Sequence, residues 1–235
     1  MDYSRTLLTS AAERWGKDPR FVFVAGNIYQ LPLANQVLDT LVMVRVMHHL
    51  ADVPAALTQL RRVTHSGSTL VIEYANKRNL KSLMRWATRK QDWSPIAREP
   101  LEFVELNFDF HPSWMEDRFI DAGLKTQKRY GVSHFRLGAL KQRISPAKLA
   151  QADSLLFGVG GHIAVAPSIF VRAQSTDRVR RANVSTSPES VAELFRCPEC
   201  TRNGLTQIDV DQVQCPQCGA RYAKVQQVWD LKAKL

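Results

Sequence analysis

All four cysteines of the chain fall near its end, in the stretch RCPECTRNGLTQIDVDQVQCPQCGARY, which contains two C-P-x-C knuckles separated by fourteen residues. A knuckle turns the chain so that two thiolates converge on one point, and two knuckles complete a tetrahedral four-sulfur site. Soft thiolates select zinc over hard cations, and four sulfurs leave no position open for substrate or water. Cys197, Cys200, Cys215 and Cys218 are therefore expected to hold a structural, non-catalytic Zn2+. A lone C-x-x-C would read equally well as a redox pair; a doubled one at this spacing points to metal. A tail of this length builds little core, so the metal is expected to supply its folding energy.

The rest of the 235 residues has room for one ordinary domain. FVFVAG (Phe21–Gly26), VLDTLVMVRVM (Val37–Met47) and STLVIEYAN (Ser68–Asn76) are apolar, β-branched runs. They alternate with stretches of helical spacing after Ser4 and from Asp52 to Val63, so the expectation is an α/β fold with a parallel sheet covered by helices. Thr64–Gly67 reads as a turn, Ser113–Ala122 as a helix with Ser113 as N-cap and Gly123 beyond its end, and Lys125–Val132 and His162–Ala173 as two closing strands. Residues 77–112 are basic and aromatic without a clean period and read as an insertion or lid. Gln174–Ser190 is polar and Ser/Thr-rich, which marks a linker.

The net charge of +10 suits nucleic acid, an anionic small molecule or an anionic membrane face, and equally a merely solvated surface. No apolar run reaches the ~20 residues of a membrane helix, and no basic-then-apolar leader opens the chain, so the expected location is cytoplasmic.

Several short segments, in order, resemble the class I S-adenosylmethionine-dependent methyltransferases, in particular the type 11-like group. MDYS resembles the acidic strand end that holds the cofactor ribose. AGNIYQLPL resembles the G-D-A-x-x-L-P-F loop beside the adenine, VLDTLVMVRVMHHL the F-D-x-V…L-H-H-L strand, and LRRVTHSGSTLVI the R-V-L-x-P-G-G turn. The resemblance implies a Rossmann-like domain over residues 1–173, with 174–191 as linker. It also implies S-adenosylmethionine as cofactor, Asp2, Tyr3, Asn27, Ile28, Val44 and Arg45 as its contacts, and a small or lipid-like acceptor. Asn27 stands where the family has an acid; it either accepts from the adenine amino group or simply turns the chain. Arg45 either reaches the pocket mouth or is paired with a carboxylate, because a buried lone guanidinium is costly. His48, His49 and His111 are the candidate acid–base groups, although methyl transfer from a sulfonium depends more on in-line placement than on proton transfer. EFVELNFDFHP (Glu102–Pro112) forms either a substrate wall or a packed lid.

The family's glycine-rich D/E-x-G-x-G-x-G turn is absent. GVGGH (Gly158–His162) opens no helix after a strand and does not replace it. The expectation is that Met1 is an internal start of a longer protein, the rival being a degenerate fold without cofactor. A sheet lacking its central strand would leave backbone groups unpaired.

Residues Ala192–Leu231 resemble the small zinc-ribbon activator of tRNA, rRNA and release-factor methyltransferases, with Gln226-Gln227-Val228-Trp229 in place of the usual D-G-I-P. That resemblance implies a ribbon over 192–235 which packs on the methyltransferase part in cis. The alternatives are an RNA or protein methylase that uses the basic face and ribbon, and a non-catalytic binding module.

Overall fold

The computed structural model describes residues 1–135, 142–176 and 190–235. Most of the expected linker, residues 177–189, lies outside the described residues. The elements are α1 (Arg5–Trp15), β1 (Phe23–Ala25), β2 (Leu38–Met43), α2 (Val53–Val63), β3 (Thr64–Ala75), α3 (Leu80–Ala87), β4 (Leu101–Val104), β5 (Asn107–Asp109), α4 (Pro112–Asp121), β6 (Leu124–Val132), α5 (Pro146–Ile163) and β7 (Ser168–Ser175), followed by β8 (Thr206–Asp209), β9 (Gln212–Gln214), β10 (Arg221–Val225) and β11 (Val228–Asp230). The architecture is mixed α/β, as expected.

The chain forms two compact units. The first comprises Met1–Leu38, Thr58–His65 and Val179–Leu235, and the second Asp39–Leu57 and Ser66–Arg178. The first is organised on a five-stranded sheet of order β1-β11-β10-β9-β8. Here β1 runs parallel to β11 with Phe23 opposite Val228, Val24 opposite Trp229 and Ala25 opposite Asp230. The other side of β1 is met by Asp2, which bridges Ala25 in parallel, donating its N–H to Val24 O (3.2 Å) and accepting from Gly26 N–H (3.0 Å). A three-residue strand with open edges would leave its amides and carbonyls unpaired; this one has partners on both sides. Gln226 and Gln227, both at positive φ, make the two-residue turn that folds β11 back on β10. Such turns favour residues tolerant of positive φ. Val24, Phe195, Leu205, Val213, Tyr222, Trp229 and Leu231 share one core with Cys197 and Cys215, and Phe195 meets the Trp229 ring edge-on at 5.7 Å. On the opposite face of β1, Leu8 and Ala12 of α1 close over Ala25 and Val228.

The second unit contains the sheet β2-β3-β7-β6 and the hairpin β4-β5. The pairings β3–β7 and β6–β7 are antiparallel, where alternation alone suggested a parallel sheet. Buried Leu70, Ile72 and Tyr74 of β3 alternate with positions on its other face, and Ile169, Val171 and Ala173 do the same in β7. Three local expectations are corrected. Thr64–Gly67 lies within β3 and forms no turn. The N-cap of α4 is His111, whose Nδ1 accepts from Ser113 N–H (3.2 Å), because Pro112 occupies the first helical position. His162 ends α5 and does not begin a strand. Gly123 does follow α4 at φ +70°, the left-handed position expected of it.

GVGGH is explained by packing. A Cβ on Gly161 would lie 2.2 Å from Arg129 O, and one on Gly160 would collide with the His134 ring. The two glycines let α5 lie against the backbone of β6.

Candidate cofactor and metal sites

In the first unit, the residues after β1 form a tightly held loop. Gly26 packs on Pro32, which leaves no room for a Cβ. The Asn27 side-chain oxygen accepts from Tyr29 N–H (3.0 Å), and Gln30 N–H donates to Asn27 O (3.1 Å), so Asn27 turns the chain and its oxygen is engaged. Behind the loop, Arg62 of α2 donates to Leu31 O and Leu33 O (2.7 Å each) and to the side-chain oxygens of Asn35 and Gln59 (2.9 Å each). Burial, with Arg196 nearby, brings its pKa down to about 10, so it remains charged at neutral pH. On its other side the loop is bonded to the chain around the first cysteine knuckle. Ala34 N–H donates to Leu194 O (2.8 Å), Arg196 N–H to Pro32 O (3.1 Å) and Asn35 N–H to Asn203 Oδ1 (3.3 Å), and the Gln30 amide reaches Pro198 O. The double arginine in LRRVT was visible in the sequence, but only the fold shows that Arg62 is the loop's clamp.

Asp2 and Asn27 are brought together through Gly26. One Asp2 oxygen, Oδ1, accepts from Ser4 N–H (2.7 Å), and Ser4 Oγ in turn caps α1 at Leu7. Asp2 Oδ2 is hydrogen-bonded by no described residue, so one carboxylate oxygen stays available beside the loop. Tyr3 is exposed; Lys232 Nζ donates to its carbonyl (2.8 Å) and lies 4.6 Å from its ring centroid.

Val44 and Arg45 belong to the second unit, where they follow β2. Arg45 adopts φ +59°, uncommon for a side-chain-bearing residue. It is held there by its N–H bond to Glu73 Oε2 (2.8 Å). Glu73 is buried in β3 and also accepts from Ser168 Oγ. The Arg45 guanidinium makes no ion pair among the described residues. It lines an open cavity of about 650 Å3 together with Ser133, Phe135, Pro146, Leu149, Ala150 and Asp153. Asp153 accepts from Ser133 N–H (2.8 Å), His134 N–H (2.9 Å) and the His134 ring (2.7 Å), which ties the end of β6 to α5. Spacing in the sequence gives no sign of Glu73 at Arg45 or of Asp153 at Ser133, pairs that only the packing of the fold brings together.

His48 and His49 occupy a 3-10 turn with their rings 4.0 Å apart. His49 Nδ1 lies 3.1 Å from Leu106 O. Burial, then the neighbouring His49, lowers the His48 pKa, with Glu73 opposing. His111 is occupied as a helix cap, and its pKa is lowered by burial and by Arg78, Arg98 and Lys77. In the insertion, Phe110 is buried and stacks on Phe108 and Trp114, while Phe103 is exposed. Glu102 is spent on Leu106 N–H.

The four cysteine sulfurs lie within 4.8 Å of one another. Cys197 and Cys218 are 3.6 Å apart and Cys200 and Cys215 3.5 Å, near the roughly 3.8 Å edge of a tetrahedron with ~2.3 Å metal–sulfur bonds. The knuckles are built alike. Cys197 O accepts from Thr201 N–H (2.9 Å) and Cys215 O from Gly219 N–H (3.0 Å), and Thr201 and Gly219 both stand at positive φ. Cys197 N–H donates to Arg202 O and Cys215 N–H to Ala220 O, both at 2.8 Å. Four soft donors so arranged can hold one metal ion.

Residues 1–72 match the family described as a methyltransferase domain. That span includes Asp2, the loop after β1, Arg45 and both histidines of the 3-10 turn. No curated protein matches the chain. Among solved structures, a possible histamine N-methyltransferase from Thermotoga maritima is 18% identical, covers 70% of this chain and 68% of its own, and gives a TM-score of 0.46. A putative S-adenosylmethionine-dependent methyltransferase from Listeria monocytogenes is 10% identical, with coverages of 74% and 78% and a TM-score of 0.49. A complex between the Haloferax volcanii Trm112 methyltransferase activator and a putative methyltransferase is 12% identical, with coverages of 72% and 68% and a TM-score of 0.46. No described helix is long and apolar enough to cross a membrane.

Proposed function

We propose that the protein is an S-adenosylmethionine-dependent methyltransferase for a small or lipid-like acceptor, with a zinc ribbon at residues 192–235 serving as its internal stabiliser. The observation that carries the reading is the methyltransferase-domain match over residues 1–72 coinciding with an acid at a strand end whose Oδ2 is uncommitted. A carboxylate in that place suits a pair of ribose hydroxyls, since open α/β sheets bind ligands at their strand ends. Asp2, Tyr3, Asn27 and Ile28 would hold the nucleoside side of the cofactor; Val44 and Arg45, in the second unit, are cofactor contacts by the family resemblance alone. The Asn27 side-chain oxygen is occupied by Tyr29, so at this turn Ile28 offers its backbone and an apolar wall. When bound, the cofactor supplies an electrophilic methyl group.

The contributions of this chain's own residues are positional. Glu73 fixes the backbone at Arg45, Arg62 fixes the loop after Asn27, and the cavity beside Arg45 offers Phe135, Leu149 and Ala150 as an apolar wall for an acceptor. The four thiolates would hold Zn2+ without an open coordination site, a structural role.

Titration of the full chain with S-adenosylmethionine by calorimetry tests the reading. Saturable heat in the wild type and its loss in Asp2→Ala are expected. Absence of heat and of any thermal shift at millimolar cofactor would refute it.

A further inference from the structure

Helix α3 leaves most of its apolar side chains in solvent, with Leu83 partly buried. Its sequence, LKSLMRWA, has apolar and basic faces, yet the residue it buries is Ser82, while Leu80 is 57% exposed, Met84 61% and Trp86 41%. Asn79 fixes this orientation by capping the helix at Ser82 N–H (3.0 Å). Helix α5 repeats the pattern. One face supplies Pro146, Leu149, Ala150 and Asp153 to the cavity and Gly160 and Gly161 to β6. A stripe on another face, at i, i+4 and i+8, leaves Leu155 81%, Val159 57% and Ile163 53% exposed. The two helices meet at one corner, where Leu80 N–H donates to Val165 O (2.8 Å), two residues beyond Ile163 at the end of α5.

The flanking charge is of one sign. Residues 77–91 contain Lys77, Arg78, Lys81, Arg85, Arg89 and Lys90 and no acid. Lys77 is spent on the carbonyls of Ala97 and Glu99, but Lys81, Arg85, Arg89 and Lys90 are exposed. The acid of α5, Asp153, is consumed by Ser133 and His134. Exposed apolar side chains concentrated on neighbouring helices mark a contact site. Apolar residues rimmed by cations, with a half-exposed tryptophan and one exposed acid, Asp92, at the end of the basic run, complement an anionic lipid surface.

We propose that the α3–α5 face docks on anionic membranes, with Leu80, Met84, Leu155 and Val159 entering the headgroup region and Lys81 and Arg85 pairing with lipid phosphates. The contact is independent of methyl transfer and is measured without cofactor.

The test is sedimentation of the full, zinc-loaded chain with phosphatidylcholine–phosphatidylglycerol vesicles and with phosphatidylcholine alone. Preferential binding to the anionic vesicles is expected. Lys81→Gln/Arg85→Gln should weaken it about fivefold per residue, and the exposed-surface variant Met84→Ser/Leu155→Ser/Val159→Ser should weaken it at least tenfold. In the unmutated protein, Trp86 emission should shift to the blue on vesicle addition, a change lost in Trp86→Phe, which serves as a second reading that needs no triple variant. Failure to bind anionic vesicles, equal binding to neutral ones, or binding indifferent to these substitutions overturns the proposal. So does a concentration-dependent dimer, detected by light scattering, that the serine variant abolishes, since the face would then be a self-interface.

Discussion

Val24 lies some 170 residues before the cysteines yet shares a core with Cys197, Cys215 and Trp229. The truncation Val24→Ala should therefore weaken metal binding, although it touches neither knuckle in sequence. The substitution removes two buried methyl groups at about 0.8 kcal/mol each and leaves a small cavity, a loss of about 2 kcal/mol. Where binding free energy is also folding free energy, that loss appears in the metal affinity. A decrement of about 2 kcal/mol is roughly thirtyfold in dissociation constant. The assay is competition for zinc against a coloured chelator, with Val42→Ala on exposed β2 as a control that should change nothing. Trp229→Ala, which also loses its contacts with Phe195 and Lys224, should be worse, at about 3–5 kcal/mol. Zinc affinity within about threefold of wild type in Val24→Ala, a shift well under 1 kcal/mol, would show that the ribbon folds without β1, and the composite sheet would be refuted.

Two further predictions concern local packing and pH. Gly161→Ala should destabilise the chain markedly, because its Cβ would meet Arg129 O at 2.2 Å, whereas Gly158→Ala, with open space around it, should stabilise α5 by about 0.5–1 kcal/mol; thermal melts of both variants decide. The His111 pKa is lowered in the fold, so its contribution is fully present above the unfolded value near 6.5 and is lost as pH falls through the lower folded value. Stability measured by urea titration should fall between pH 7.5 and 5, and His111→Asn, which keeps a capping acceptor, should flatten that slope.

What was legible in the sequence was whatever depended on neighbours along the chain. The knuckles, the helix ending at Gly123, the apolar strands and the rejection of GVGGH as a cofactor turn all follow from local spacing. The partner of β1 did not, because a three-residue strand carries no signal for which edge it joins. His111 displaced Ser113 as cap because Pro112, at the first helical position, moved the helix start by two residues. Arg62, Glu73 and Asp153 were ordinary polar letters until the fold showed which carbonyls and amides surround them. The apolar face of α3 was equally hidden. Its period is that of a helix whose leucines and methionine should be buried, and only the fold shows Ser82 inside with Leu80 and Met84 exposed.

The ribbon also bears on the loop that would take the nucleoside. Residues 27–36 belong to no helix or named strand, and such a segment loses conformational entropy when it is held in one conformation. Arg62 grips it through two carbonyls on one side, and on the other the chain from Leu194 to Asn203 supplies four hydrogen bonds. The second of these surfaces is part of the first knuckle, since Cys197 and Cys200 lie inside that same segment. A metal held by the four thiolates would thus act at a distance from any chemistry: by fixing residues 194–203 it would fix the loop they bond to, next to Asp2. A ribbon that served only its own stability would have no need to bond with Pro32, Ala34 and Asn35.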